Sequence, residues 1–161
     1  MELVLVAVGK LRPFYREACN EYARRLSRYV RFAEHEVREA SREPTLTAQQ
    51  TLEARRIDAR IPEGAFRIAL SRQGHAWSST ELAGEVERWL LAARPVSLTI
   101  GGSTGLAPEF LARCAARWSL GPLTMPHELA RVIVVEQLYR AFTILRGEPY
   151  HKGADHRAGD A

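Results

Sequence analysis

The chain has 161 residues, of which 46% are hydrophobic and 26% charged, the proportions of a soluble globular protein. This length fits one domain and excludes two full-sized ones. The formal net charge of +4 favours an anionic partner such as RNA. No apolar segment approaches the length of a membrane span, and residues 3–8 lack the basic start of a signal peptide. We therefore expect a cytoplasmic protein without a membrane contact.

The chain alternates between strand and helix patterns. Apolar runs bounded by turn residues predict strands at 3–8, 32–38, 66–70 and 96–100, with a brief fifth strand at 118–120. Such alternation predicts an α/β fold with a mainly parallel sheet flanked by helices.

Start and stop signals place the helices between these strands. The predicted starts are Pro13, a Thr47/Gln50 capping box, a Ser78/Glu81 capping box and Pro108. The helix from Thr47 has few apolar anchors, so we expect it to lie at an edge and to be mobile. A last helix, predicted over 127–146, is apolar on more than one side, which predicts a subunit interface. The Gly-, Ala- and charge-rich residues 153–161 are predicted to be disordered, which leaves one domain over 1–152.

Loops that follow the predicted strands are the best candidates for a ligand site. Residues 70–71, 101–105 and 119–124 are rich in glycine, proline or small polar residues, which expose backbone amides and carbonyls. Such a lining suits a flat heterocycle whose faces are covered by Leu70, Leu120 and Leu123. No phosphate-binding lysine follows the glycines, so a Walker A site is excluded. Because neither the histidines nor Cys19 and Cys114 cluster at metal-ligand spacing, we expect no metal site.

A different enzyme class also fits one of these loops. Residues 101–105, Gly-Gly-Ser-Thr-Gly, match the G-x-S-x-G nucleophile elbow of serine hydrolases. Glu109 and His127 then follow Ser103 in the chain order that hydrolases of that fold use. Pro108 delays the next helix beyond the tight elbow geometry, and Ser103 could simply hydrogen-bond within a glycine turn. A serine hydrolase therefore stays open as an alternative, as does a non-catalytic RNA-binding protein.

A series of short motifs extends over nearly the whole chain in a fixed order. They are Leu5-Val-Ala-Val-Gly9, Glu21-Tyr-x-Arg-Arg25, Glu87-Arg-Trp89, Ile100-Gly-Gly-x-x-Gly-Leu106, Trp118-Ser-Leu120, Leu123-Thr-x-Pro-His127, Arg131-Val132, Glu136-Gln-x-Tyr-Arg-Ala141 and Pro149-Tyr-His151. By these motifs the chain resembles the small SPOUT-class methyltransferases that modify pseudouridine in large-subunit ribosomal RNA, with the match running from Leu3 to Lys152. Ser103 and Thr104 stand where that family usually has Pro-Glu, which puts a side-chain role there in doubt.

The resemblance implies a fold, a cofactor and a reaction. The fold would be a SPOUT domain with a deep C-terminal trefoil knot, in a homodimer. The reaction would be S-adenosylmethionine-dependent methylation of the N3 atom of a pseudouridine in 23S rRNA, on a stem-loop at the ribosomal subunit interface. The implied cofactor contacts are Leu70, Gly101, Gly102, Ser119, Leu120, Gly121, Pro122, Leu123 and Thr124.

Methylation at an imide nitrogen also requires loss of its proton, so a general base is expected. The candidates are His127, His151 and Glu136, and a capping role for His127 is an equal alternative. Candidate RNA contacts are Arg24, Arg28, Arg131, Arg140 and Tyr150. Tyr150 could stack on a flipped-out base. Arg140 could instead pair with Glu136 at (i, i+4), and the Arg24/Arg28 face could be merely solvated.

Overall fold

A five-stranded sheet forms the centre of the protein. A computed structural model describes residues 1–151, without the side chain of His151. The strands are β1 (Glu2–Val8), β2 (Arg31–Val37), β3 (Phe66–His75), β4 (Val96–Ile100) and β5 (Ala116–Trp118). They lie in the order β2-β1-β4-β3-β5, and every neighbouring pair is parallel. The predicted α/β fold with a parallel sheet is confirmed.

Helices cover both faces of this sheet. They are α1 (Pro13–Leu26), α2 (Leu46–Asp58), α3 (Ser79–Ala92), α4 (Pro108–Ala112) and α5 (His127–Leu145), followed by a 3-10 turn at Pro149–His151. Helices α1, α3 and α5 pack on the face that carries Leu3 and Leu5, whereas α2 and α4 pack on the face that carries Val4 and Val6. Because β1 is buried on both faces, its side chains form a continuous apolar run rather than an alternating one.

Strands β3 and β5 differ most from their predicted bounds. Strand β3 continues to His75, past the predicted end at 70, because His75 pairs with Trp118 across a bulge. At Gly74 a Cβ atom would lie 2.6 Å from the carbonyl carbon of Arg117, so the close approach of the two strands requires glycine. Strand β5 accordingly lies at 116–118 rather than 118–120.

The cap of α2 also differs from the prediction. The hydroxyl of Thr45, not Thr47, accepts a hydrogen bond from the Ala48 backbone N–H at 3.1 Å. Gln50 donates its amide to the Thr104 carbonyl oxygen at 2.7 Å, which ties α2 to the loop after β4. By contrast, the Ser78/Glu81 capping box of α3 is confirmed in both of its hydrogen bonds.

The residues at 153–161, for which disorder is predicted, lie outside the described part of the chain. The trefoil knot that the resemblance implies stays a prediction. Over residues 1–151, no helix is long and apolar enough to cross a membrane.

Candidate cofactor cavity and nucleic-acid site

A cavity of about 400 Å³ lies at the carboxyl ends of β4 and β5, beside residues 70–73 of β3. The three segments with the predicted ligand-binding composition surround it, but residues 70–71 belong to β3 and are not the loop that was predicted. Seven of the nine predicted cofactor residues line the cavity, as does His127: Leu70, Gly101, Gly102, Ser119, Leu120, Gly121 and Leu123. Pro122 and Thr124 do not line it. The Thr124 hydroxyl instead accepts a hydrogen bond from Arg72, so β3 and the loop after β5 are joined at the rim.

Backbone conformation accounts for the shape of the loop after β4. The Gly105 N–H donates to the Gly102 carbonyl at 3.1 Å, and Gly105 has φ +75°, a region that favours glycine. A Cβ atom on Gly101 would lie 3.0 Å from the Gly105 carbonyl carbon and 3.1 Å from the Leu106 side chain. The turn therefore closes on itself only because these positions lack side chains.

The loop after β5 forms the opposite wall by similar means. The Ser119 hydroxyl accepts a hydrogen bond from the Gly121 N–H at 3.1 Å. Gly121 has φ +108°, so it too favours glycine. Leu120 lines the wall, and Leu123 lies at the mouth with 75% of its surface exposed. An exposed leucine at the mouth of a cavity is a surface that a ligand can cover.

A second cleft, of about 570 Å³, lies beside the first at the carboxyl ends of β1 and β2. His127 lines both. The residues around the second cleft are mostly charged or polar: Lys10, Glu36, Arg38, Glu39, Ser41, Arg42 and Glu128. Lys10, Arg38 and Arg42 are not among the site residues predicted from the sequence. A signal for them is present in the sequence, because these cations follow the ends of two neighbouring parallel strands.

Arg131 is not available to an RNA phosphate, contrary to the prediction. Its side chain is 1% exposed. The guanidinium donates to Glu34 Oε2 at 3.1 Å, to Glu36 Oε2 at 2.5 Å and to the Gly9 carbonyl at 2.9 Å. Arg131 therefore fastens the first turns of α5 to the ends of β1 and β2. Burial by itself raises the pKa of Glu36. The contacts with Arg131 and Arg16 lower it by more, so the net pKa lies below the ordinary value.

Glu136, a predicted general base, already has three partners. Arg140 donates to its Oε1 at 2.7 Å, the Tyr150 hydroxyl donates to the same atom at 2.9 Å, and Gln137 donates to Oε2 at 2.7 Å. The alternative for Arg140, an (i, i+4) pair with Glu136, is thus the observed contact. Arg140 also lies over the Tyr150 ring at 4.8 Å. Burial and the Glu136 contact together raise the pKa of Tyr150.

The other predicted residues lie apart from the two cavities. Arg24 pairs with Glu21 at 2.8 Å on the outer face of α1, with 58% of its side chain exposed. Arg28 is exposed at the end of the same helix and has no ion pair with another described residue. His151 ends the 3-10 turn, and its side chain lies outside the described part of the chain.

The hydrolase alternative finds no support in this geometry. Ser103 is exposed and does not line the 400 Å³ cavity that His127 lines. Among the described residues, no hydrogen bond joins Ser103 to a histidine or a carboxylate. A nucleophile, its base and an orienting acid must be within hydrogen-bonding reach of one another. The residues described also contain no group of three or more His, Cys, Asp or Glu able to hold a metal ion.

Comparison with known proteins identifies the class. The family described as Predicted SPOUT methyltransferase matches residues 1–151. The chain belongs to the SPOUT methyltransferase family, and it is an enzyme of that class.

Individual relatives match over nearly the full length. The protein named Ribosomal RNA large subunit methyltransferase H from Azotobacter vinelandii (strain DJ / ATCC BAA-1303) is 43% identical over 155 residues, covering 94% of this chain and 100% of the relative. The protein of the same name from Anaeromyxobacter sp. (strain Fw109-5) is 45% identical over 153 residues, with the same coverage. A solved structure, a probable methyltransferase from Bordetella pertussis Tohama I, matches with a TM-score of 0.55 at 17% identity, over 86% of this chain and 95% of that chain, and supports the fold.

Proposed function

We propose that this chain uses S-adenosylmethionine to methylate the N3 atom of a pseudouridine in 23S rRNA. The target would lie on a stem-loop at the subunit interface of the assembled ribosome, reached in the cytoplasm. The observation that carries the proposal is the 400 Å³ cavity, whose walls are the three segments predicted to hold the cofactor. Relatives with more than 40% identity over 94% of the chain are named for large-subunit rRNA methylation, which supports the substrate class.

The cavity suits the cofactor because it combines apolar side chains with exposed backbone. Leu70, Leu120 and Leu123 would contact the faces of the adenine ring, and the backbone of the two glycine turns would hydrogen-bond its edge. S-adenosylmethionine supplies a methyl group already activated by its sulfonium. The chain therefore has to place the acceptor nitrogen in line with that methyl and to remove one proton.

His127 is best placed to accept the N3 proton. His127 borders both the cofactor cavity and the second cleft. A pseudouridine held between the two cavities would therefore lie beside an imidazole nitrogen of His127. Glu136 is a weaker candidate, because Arg140 and Tyr150 already occupy its Oε1 atom. His151 remains a second candidate on the adjoining C-terminal turn.

A homodimer is part of the proposal. Helix α5 carries Leu129, Ile133 and Ile144 along one side, and all three are only half-buried within this chain. A partner packed on that side would cover them and could bring its own Tyr150 and His151 to this site. Light scattering coupled to size-exclusion chromatography measures the mass directly.

Cofactor binding tests the proposal through Leu123. We expect Leu123→Ala to lose apolar contact on the order of 1.5 kcal/mol, which is roughly a tenfold weaker affinity for S-adenosylmethionine in calorimetry. The matched control is Leu91→Ala on α3, since Leu91 is 82% exposed and does not line the cavity. Equal effects of the two substitutions, or no binding to the unmodified chain, would exclude the assigned cavity.

The reaction itself is tested on ribosomes that lack the modification. Transfer of a labelled methyl group, followed by nuclease digestion and mass spectrometry, identifies the nucleoside and its position. Methylation of another base or of ribosomal protein would refute the assigned target. A chain that binds rRNA with a steep salt dependence but never binds the cofactor would be the non-catalytic RNA-binding alternative.

A further inference from the structure

We propose that the second cleft is a binding site for the RNA strand, with Lys10, Arg38 and Arg42 contacting phosphates beside the target nucleotide. The inference rests on the proposed function, since it assumes an RNA substrate. It assigns a role to a cavity and to three cations that neither the motifs nor the comparisons single out.

The position of the cleft is the first argument. It shares His127 with the cofactor cavity. The two are also adjacent at Gly102, because a Cβ atom there would lie 3.4 Å from Glu39 Oε1, and Glu39 lines the second cleft. A nucleotide entering through this cleft would therefore reach the edge of the cavity where the methyl donor is proposed to bind.

The charge left over in the cleft is the second argument. Arg16 and Arg131 both contact Glu36, and Arg12 binds Glu128 through its backbone N–H at 2.7 Å and its side chain at 3.1 Å. Those two carboxylates are thus already neutralised by partners. Three exposed cations remain that have no ion pair with any described residue: Lys10, Arg38 and Arg42. The one lining carboxylate without such a partner is that of Glu39. Three positive charges and one negative charge therefore remain, and this excess of positive charge suits phosphate.

The loops that present these cations are held in place, which is the third argument. The Gly9 N–H donates to the Val37 carbonyl at 2.8 Å, which joins the beginnings of the loops that follow β1 and β2. Arg56 of α2 donates to the Arg38 carbonyl at 2.8 Å. Ala40, between Arg38 and Arg42, is buried. A held loop loses less conformational freedom on binding than a mobile one.

Charge removal provides the test. Lys10→Gln, Arg38→Gln and Arg42→Gln are each compared with Arg88→Gln, because Arg88 on α3 is 75% exposed and lies outside both cavities. Each lost phosphate contact should reduce the slope of log affinity against log salt by about 0.7 to 0.9, or roughly fivefold to eightfold in ribosome affinity at 0.1 M salt. The KM for ribosomes should rise correspondingly, while cofactor affinity measured by calorimetry stays unchanged.

The outcomes separate the two proposals. If the unmodified chain fails to bind cofactor or to methylate rRNA, the proposed function fails. If it methylates normally but the cleft variants match Arg88→Gln in KM and salt slope, the cleft inference alone is overturned. Loss of cofactor binding in the cleft variants would likewise overturn it, since the cleft would then belong to the cofactor site.

A cross-link distinguishes RNA from an acidic ribosomal protein as the partner. Arg42→Cys, labelled with a short photo-reactive group and bound to ribosomes, should cross-link to 23S rRNA. The unmodified chain labelled on its own Cys19 and Cys114 supplies the background. Cross-linking to a ribosomal protein, or none to rRNA above that background, would refute the assignment.

Discussion

Replacing Arg131 by methionine should cost more stability than replacing any exposed arginine of this chain. The substitution keeps an apolar stem in a site that is 1% exposed but removes the charge. Glu34 and Glu36 would then depend on Arg16 alone, which reaches them at 2.7 Å each. The Gly9 carbonyl would lose its 2.9 Å contact as well.

The magnitude follows from leaving partly buried groups without their partner. Removing one member of a buried ion pair costs about 3–5 kcal/mol. The exposed Arg24–Glu21 pair is the matched comparison, and Arg24→Ala should cost less than about 1 kcal/mol. If unpaired carboxylates cause the loss, then adding Glu36→Gln to Arg131→Met should recover part of it.

Urea unfolding followed by tryptophan fluorescence measures all three variants. The lowered pKa of Glu36 means that its ion pairs stabilise the wild type above the ordinary value of 4.5 and are lost as the pH falls through the lowered value. Acid also neutralises the carboxylates that Arg131→Met leaves unpaired. The deficit of the variant should therefore be largest near neutral pH and should narrow in acid. A deficit no larger than that of Arg24→Ala, or one independent of pH, would refute the reasoning.

Two further predictions concern Glu53 and Tyr150. Glu53 on α2 is 2% exposed, and neither of its carboxylate oxygens has a hydrogen bond of good geometry. Burial raises the pKa of its carboxyl, and the weak contacts with the Ala40 backbone and the Gln49 side chain oppose that shift only in part. The free energy of unfolding of the wild type should fall as the pH rises from 4.5 through this raised pKa. Glu53→Gln should therefore be more stable than the wild type by on the order of 1 kcal/mol at pH 8 and by little in acid. Urea unfolding at both pH values measures this, and a difference that does not change with pH would contradict the prediction. Tyr150→Phe removes only the hydroxyl contact with Glu136 and keeps the ring. If the ring stacks on a base, the Tyr150→Phe enzyme should methylate ribosomes much faster than the Tyr150→Ala enzyme. Equal methylation rates of the two variants would contradict stacking.

Local chemistry was sufficient to predict some elements of this fold. Residues 3–8 and 96–100 are predictable as strands because they are buried on both faces of the sheet, and their only polar side chains are Ser97 and Thr99. The capping box at Ser78 was equally readable, since both of its hydrogen bonds lie within four residues.

The errors arise where a distant partner decides the structure. Residues 71–75 extend β3 only because His75 pairs with Trp118 of β5 across the bulge, and that pairing has no local signal. Arg131 is the clearest case at the site. From the sequence it is a cation on a helix near a predicted RNA surface, but its partners Glu34 and Glu36 lie on β2, far away along the chain. Folding turns a candidate RNA contact into a buried structural one.

The two cavities lie where the fold itself creates a crevice. The chain leaves β1 toward α1, on the face that carries Leu3, and leaves β4 toward α4, on the opposite face. Because β1 and β4 are neighbours, their loops diverge and open a gap at the carboxyl ends, which is where parallel α/β sheets bind ligands. His127 begins α5 at this gap, and Arg131, one turn later, fixes that helix to the ends of β1 and β2. The methyl donor and the RNA strand are proposed to enter on opposite sides of His127, so the ion pairs of Arg131 determine where the proton acceptor lies. An Arg131 variant that still folds should therefore transfer the methyl group more slowly while its cofactor affinity stays unchanged.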